Sequence, residues 1–79
     1  MKRIKRQELI NRLVENEVDK LEVTINYGID EDKVKIIVDN NESLIVSWLS
    51  YEQIVNTIKS FTNLKEYTNY FNHNGIAYL

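Results

Sequence analysis

Residues 33–49, KVKIIVDNNESLIVSWL, alternate apolar and polar side chains on both sides of a four-residue polar turn. Alternation with a period of two is typical of strands that bury one face. The turn, residues 39–42, contains two Asn residues, which tolerate the positive φ angles of tight hairpins. The pattern predicts two antiparallel strands, over residues 33–38 and 43–49. The side chains predicted to face the core are Val34, Ile36, Val38, Leu44, Val46 and Trp48.

The same period of two precedes the hairpin in LEVTINY, residues 21–27, and ends at Gly28 and the acidic run that follows. Short connections join antiparallel neighbours, so we expect a three-stranded meander. Closer to the N-terminus, apolar residues recur every three or four positions between residues 6 and 18. That spacing predicts an amphipathic helix. Its apolar stripe consists of Leu9, Ile10, Leu13, Val14 and Val18.

A second helix is predicted after the hairpin. Ser50 and Gln53 match a capping box, in which each side chain can hydrogen-bond to the backbone of the other. The apolar positions that follow recur at helical spacing, so this helix should pack on the sheet. They are Tyr51, Ile54, Val55, Ile58 and Phe61.

A short third helix is predicted from Asn63, because Glu66 three residues later completes a second cap signal. Residues 72–79 fit either a tail or a late strand. The predicted fold class is therefore α+β: an N-terminal helix, a three-stranded antiparallel meander and two C-terminal helices, in the order α-β-β-β-α-α. The third helix would present Leu64, Tyr67, Tyr70 and Phe71, and the late strand would use Ile76 and Tyr78.

The composition favours one small domain over residues 1–79. The chain has no Cys, which excludes a disulfide framework and a thiolate metal site. No apolar run approaches the length of a membrane span or of a signal peptide. We expect a soluble cytoplasmic protein without membrane contact.

Residue types that carry out catalysis are sparse. The only histidine, His73, lies in an Asn-rich stretch, and no second group stands at a spacing that would make it a base or a metal ligand. No Gly-rich loop precedes a helix, so a phosphate cradle is not indicated. The sequence therefore predicts a protein that is not an enzyme, with no catalytic residues, no metal site and no cofactor. A surface that binds a macromolecule suits so small a core better than a deep pocket does.

Charge is unevenly distributed in a chain whose net charge is −2. Residues 21–50 carry six Asp or Glu against two Lys or Arg, and five of these acids lie in the two loops that flank the second strand. The basic residues cluster at the N-terminus, where they could contact phosphates. The acidic candidates are Asp30, Glu31, Asp32, Asp39 and Glu42, and the basic ones are Lys2, Arg3, Lys5 and Arg6.

The segments VKIIVDNNESLIVS (34–47), YEQIVNTIKSFTN (51–63) and KEYTNYF (65–71) follow one another as a hairpin, a helix and an acid placed before aromatic residues. This succession, which covers most of the chain but contains no motif of high specificity, resembles the small phage-encoded anti-CRISPR inhibitors of the type II-A RNA-guided nuclease. The resemblance implies a phage or mobile-element protein that acts in the host cytoplasm as a DNA mimic.

Under that resemblance, carboxylates would occupy the Arg-rich groove in which the nuclease reads duplex DNA. This chain departs from the family in its C-terminal part, which holds only Glu52 and Glu66 as acids. An inhibitor could then use the outward side of the sheet, with Ile37, Ile45 and Leu49, and these residues also fit a homodimer interface. The partner-binding positions that the resemblance implies are Asp30, Glu31, Asp32, Asp39, Glu42 and Glu66.

Two alternatives stay open at this point. One is a small nucleic-acid-binding regulator that uses the basic N-terminus, and the other is an accessory domain with a different partner. Charge substitutions in the hairpin turn or at the N-terminus would separate the first alternative from the inhibitor.

Overall fold

A computed structural model of the chain describes residues 1–25, 33–61, 64–73 and 76–78. Over these residues the fold is α+β, with two helices and a mixed sheet of six strands, of which the first contains only two residues. Neither of the helices described is long and apolar enough to cross a membrane. The elements are β1 (Lys2–Arg3), α1 (Arg6–Val14), β2 (Lys20–Ile25), β3 (Lys33–Val38), β4 (Glu42–Ser47), α2 (Trp48–Phe61), β5 (Glu66–His73) and β6 (Ile76–Tyr78).

The strand order is β1-β4-β3-β2-β5-β6. The antiparallel meander of β2, β3 and β4 forms its centre and confirms the prediction. Strand β1 pairs in parallel with β4, and β5 pairs in parallel with β2. Each helix therefore belongs to a crossover that joins two parallel strands across two others, β1-α1-β2 and β4-α2-β5.

Both helices pack on one face of the sheet and form the core with it. Strands β2 and β3 bury every second residue, as the period of two predicted. Leu9 and Leu13 of α1 and Ile54 of α2 are fully buried against these strands. The buried core consists of Ile4, Leu9, Leu13, Val18, Leu21, Val23, Ile25, Val34, Ile36, Val38, Leu44, Tyr51 and Ile54.

The predicted third helix is wrong. Residues 66–73 form strand β5, which pairs with β2 from Lys20↔Glu66 to Ile25↔Phe71. Aromatic and β-branched residues such as Tyr67, Thr68 and Tyr70 favour strands, and the edge of β2 needs hydrogen-bond partners along its length. The late strand was the correct one of the two alternatives for the last residues, since Ile76–Tyr78 pairs antiparallel with β5.

Helix α1 ends earlier than the predicted residue 18. Asn16 has φ of 57°, and the amides of Asn16 and Glu17 donate to the carbonyls of Leu13 and Arg12. This is the hydrogen-bond pattern of a Schellman motif, in which a residue in the left-handed conformation terminates the helix. Val18 is buried all the same, in the connection to β2.

Helix α2 begins at Trp48, so the prediction of a strand through residue 49 and of a capping box at Ser50 is wrong. The N-cap is Ser47, whose Oγ accepts the Ser50 amide at 3.3 Å. The cap signal therefore lies three residues earlier than predicted. The shift also places Trp48 and Leu49 on the helix instead of on β4.

Candidate functional site

The face of the sheet opposite the helices, which we call the open face, is not covered by either of the helices described. Strand register assigns side chains to it. One row across the strands contains Ile45, Lys35, Thr24 and Tyr70, and the next contains Arg3, Ser43, Ile37, Glu22 and Thr68. Ser47 and Lys33 at one end and Lys20 and Glu66 at the other complete it.

The open face carries more positive charge than the rest of the chain. Four cations, Arg3, Lys20, Lys33 and Lys35, and two carboxylates, Glu22 and Glu66, give it a net charge of +2, whereas the whole chain has −2. Lys20 Nζ lies 3.0 Å from Glu22 Oε1 and 3.6 Å from Glu66 Oε2. The hydrogen bond with Glu22 raises the pKa of Lys20. Both carboxylates of the open face thus pair with the Lys20 ammonium, at one corner of that face.

Two isoleucines form the apolar centre of the open face. Ile37 pairs with Ser43 and Ile45 pairs with Lys35, so the two isoleucines are diagonal neighbours on adjacent strands. Ile45 is 44% exposed. Leu49, predicted to join them, lies instead in the first turn of α2, on the side of the helix away from the buried Tyr51 and Ile54.

Asp39, one of the predicted binding acids, is engaged within the fold. Its Oδ1 accepts the backbone amides of Asp19 at 3.1 Å and Lys20 at 2.8 Å, and its Oδ2 lies 3.6 Å from Arg12 Nη2. Asp39 and Asn40 have φ of 50° and 64°, as the central residues of a type I′ turn do. Its carboxylate therefore ties the hairpin turn to the start of β2.

Glu42, the second acid predicted in the hairpin, forms an ion pair and a hydrogen bond with Arg12. Its side chain is only 15% exposed, and the hydrogen bond raises the pKa of Arg12. The sequence analysis does not predict this role, because Arg12 and Glu42 are 30 positions apart in the chain. We call Arg12, Asp39 and Glu42 the brace, since they join α1 to the hairpin.

The other predicted acids do not join the brace. Glu66 lies on the open face, is 63% exposed and pairs with Lys20. Asp30, Glu31 and Asp32 lie outside the described residues. Among the acids that the structure describes, Asp39 and Glu42 thus share Arg12, and Glu66 has a different partner.

The basic N-terminus is built into the fold. The Lys2 amide donates to the Asn41 carbonyl at 3.2 Å, and the Ile4 amide donates to the Ser43 carbonyl at 2.9 Å. Arg6 Nη1 donates to Ser50 Oγ at 3.1 Å and to Gln53 Oε1 at 3.3 Å, which ties α1 to α2. Of the four predicted cations, Arg3 is the one that the strand register assigns to the open face.

A cleft of about 540 Å³ lies on the other side of the sheet, between α2 and β5. Trp48 is 40% exposed there, so the prediction that it is a core residue is wrong. The sequence also predicts that Tyr51 packs in the core, and its burial confirms that prediction. The two ring centroids are 5.4 Å apart. The residues that line the cleft are Ile25, Trp48, Tyr51, Glu52, Val55, Asn56, Lys59 and Asn69.

Hydrogen bonds fix the polar groups of this cleft. Tyr51 Oη and Tyr67 Oη are 2.6 Å apart, and Tyr51 Oη donates to Asn69 Oδ1 at 3.2 Å. Trp48 Nε1 donates to Glu52 Oε1 at 3.0 Å. Burial and the hydrogen bond with Tyr67 raise the pKa of Tyr51. The tyrosine hydroxyls thus form a chain that orients the Asn69 amide.

Within the described ranges, no group of three His, Asp or Glu side chains is arranged to hold a metal ion. Comparison with known proteins gives no matching family model, no matching curated protein and no matching solved structure. The inference of function therefore depends on the two surfaces described above.

Proposed function

We propose that this chain is a non-catalytic binding domain and that its open face meets a macromolecular partner. The observation that carries the proposal is the one-sided packing of the sheet. Both helices cover the same face, and the other exposes two adjacent isoleucines surrounded by charged and hydroxyl side chains. An apolar centre with a polar rim is the usual composition of a protein–protein interface.

The specific partner that we propose is a type II-A RNA-guided nuclease, which the chain would inhibit. The support for this partner is the resemblance of segments 34–47, 51–63 and 65–71 to small phage-encoded inhibitors of that enzyme. We propose the open face as the contact surface because Asp39 and Glu42 already have intramolecular partners. A carboxylate that binds an Arg of the nuclease must first break its contacts within the chain, and the free energy lost there offsets much of the free energy gained.

The experiment is a binding and cleavage assay with the purified, guide-loaded nuclease. Ile45→Asp should weaken binding at least about tenfold and restore DNA cleavage, because it puts a charge in the apolar centre of the interface. Leu49→Asp is the matched control, since Leu49 is an exposed aliphatic residue on the outer side of α2. Equal loss in both variants, or loss in neither, would remove the open face from the proposal.

A triple variant tests DNA mimicry independently. Asp30→Asn, Glu31→Gln and Asp32→Asn together remove three charges from the sequence between β2 and β3. If these three carboxylates occupy the DNA-binding groove of the nuclease, the triple variant should no longer inhibit cleavage, whereas Ile45→Asp should still inhibit it. If the nuclease does not bind the unmodified chain at all, the specific partner is wrong, and the open face can be tested on proteins recovered from host lysate.

A second candidate function is nucleic-acid binding by the same face. The observation that favours it is the net charge of +2 on the open face, to which Arg3 and Lys33 contribute away from the corner where Lys20 pairs with Glu22 and Glu66. Binding of this kind falls steeply with salt. Arg3→Gln with Lys33→Gln should reduce it and lower the salt dependence by about two counterions. An unchanged salt slope would exclude it.

A further inference from the structure

The cleft between α2 and β5 combines an exposed aromatic ring with oriented polar groups at both ends. Trp48, Glu52, Val55 and Lys59 follow one another along one side of α2, and Asn69 of β5 faces them. At 1.5 Å per residue, Glu52 and Lys59 are separated by roughly 10 Å along the helix. The cleft therefore has a carboxylate near one end, an ammonium near the other and apolar walls between them.

The polar groups have defined hydrogen-bonding capacity. Glu52 Oε1 accepts the Trp48 indole N–H, which leaves Oε2 as an acceptor and the face of the indole as an apolar surface. Asn69 Oδ1 accepts from Tyr51, so the Asn69 amide presents Nδ2 as a donor. Lys59 is exposed at the rim and also lines an adjoining cleft of about 310 Å³.

We propose that this cleft binds a nucleoside monophosphate whose base carries an exocyclic amino group. The base stacks on Trp48, its amino group donates to Glu52, and its phosphate meets Lys59. The rise of roughly 10 Å along α2 from Glu52 to Lys59 is comparable with the reach from the amino group of adenine to the phosphate of adenosine monophosphate. The volume of about 540 Å³ lies within the range of small-molecule sites. This site is independent of the open face, because it lies on the helix side of the sheet.

Trp48 is the only tryptophan of the chain, so intrinsic fluorescence reports directly on the cleft. Adenosine monophosphate should quench the emission in a saturable titration. Adenosine should bind about tenfold more weakly, because it has no phosphate for Lys59. Inosine monophosphate, which has an oxo group in place of the amino group, should also bind about tenfold more weakly, because it removes the donor to Glu52.

Three variants complete the test, with calorimetry as the second measurement. Lys59→Gln should weaken adenosine monophosphate about tenfold and leave adenosine unchanged. Glu52→Gln should remove the preference over inosine monophosphate. Lys65→Gln is the control, because Lys65 is 78% exposed and pairs with Asp19 away from the cleft. All three positions are exposed, so the variants should fold.

Three results would overturn the proposal. One is the absence of quenching and of heat at millimolar adenosine monophosphate. Another is equal affinity for adenosine, which would exclude the phosphate contact. The third is binding only of a single-stranded oligonucleotide, with no affinity for the mononucleotide, which would assign the cleft to nucleic acid.

Discussion

Ile36 and Ile37 are adjacent on β3 and chemically identical, yet they have opposite surroundings. Ile36 is fully buried beneath the helices, whereas Ile37 is partly exposed on the open face. Leu44 and Ile45 repeat the contrast on β4, with exposures of 3% and 44%. Since strand residues alternate between faces, a sheet that buries one row of side chains must present the next row on its other side.

The difference shows which face folding requires and which it leaves for other uses. The two helices cover the central strands of one face of the sheet, and they take their apolar partners from the alternate residues of β2, β3 and β4. Stability should therefore depend on the covered face. Recognition can use the open face, where substitution leaves the core intact.

The largest expected effect comes from truncating the buried member of the pair. Ile36→Ala should lower the free energy of unfolding by about 3–4 kcal/mol, because it removes buried methyl groups and leaves a cavity. Ile37→Ala should lower it by less than about 1 kcal/mol. Urea denaturation of both variants checks the comparison. Equal losses would mean that the open face is covered in solution, for example by a second copy of the chain.

A loss of stability of intermediate size is expected from the brace, which holds α1 to the hairpin at the edge of the covered face. Asp39→Ala should lower the free energy of unfolding by about 2 kcal/mol, since it removes two hydrogen bonds to backbone amides and the contact with Arg12. Asp39→Asn is the matched control and should lose less than half as much. Asn retains an Oδ1 acceptor and tolerates the positive φ at this position. If both variants match the unmodified chain, Asp39 is available to a partner.

The sequence predicts the meander well because its signals are local. The alternation over residues 33–38 and the Asn residues of the turn are each contained within a few positions. The prediction fails at residues 66–73, which form a strand instead of a helix. The three-residue spacing of Leu64, Tyr67 and Tyr70 fits a helix. The same segment also fits a strand, with Tyr67 and Asn69 on one face. The unpaired edge of β2, more than forty positions earlier in the chain, decides between them, and a local pattern does not contain that information.

The contrast between local signals and contacts between distant residues also applies to the candidate site. Asp39 and Glu42 are correctly predicted to lie together in the hairpin, because they are three residues apart. Their partner Arg12 is distant in sequence and reaches them only once α1 packs on the sheet. The cleft between α2 and β5 could not be predicted while residues 66–71 were assigned to a helix.

The smallest effect is expected at Tyr51, where the covered face meets the cleft. Tyr51→Phe removes the hydrogen bonds to Tyr67 and Asn69 but keeps the buried ring. It should lower the free energy of unfolding at neutral pH by about 1 kcal/mol. Thermal or urea denaturation measures this, and Thr57→Val, which removes an exposed hydroxyl bonded to the Gln53 carbonyl, serves as a hydroxyl-deletion control.

The pH dependence of stability tests the same residue more sharply. The pKa of Tyr51 is raised in the folded protein, chiefly by burial and then by its bond with Tyr67, so above about pH 10 the folded state retains a proton that the unfolded state has lost. The stability from Tyr51 is thus fully present below pH 10 and is lost as the pH rises toward the raised pKa. Lys20, whose pKa is also raised, contributes a loss of the same sign. Tyr51→Phe should therefore make the alkaline decline shallower without abolishing it. If Tyr51→Phe leaves the alkaline loss of stability unchanged, the Tyr51 hydroxyl is open to solvent. Tyr51 would then not belong to the covered face.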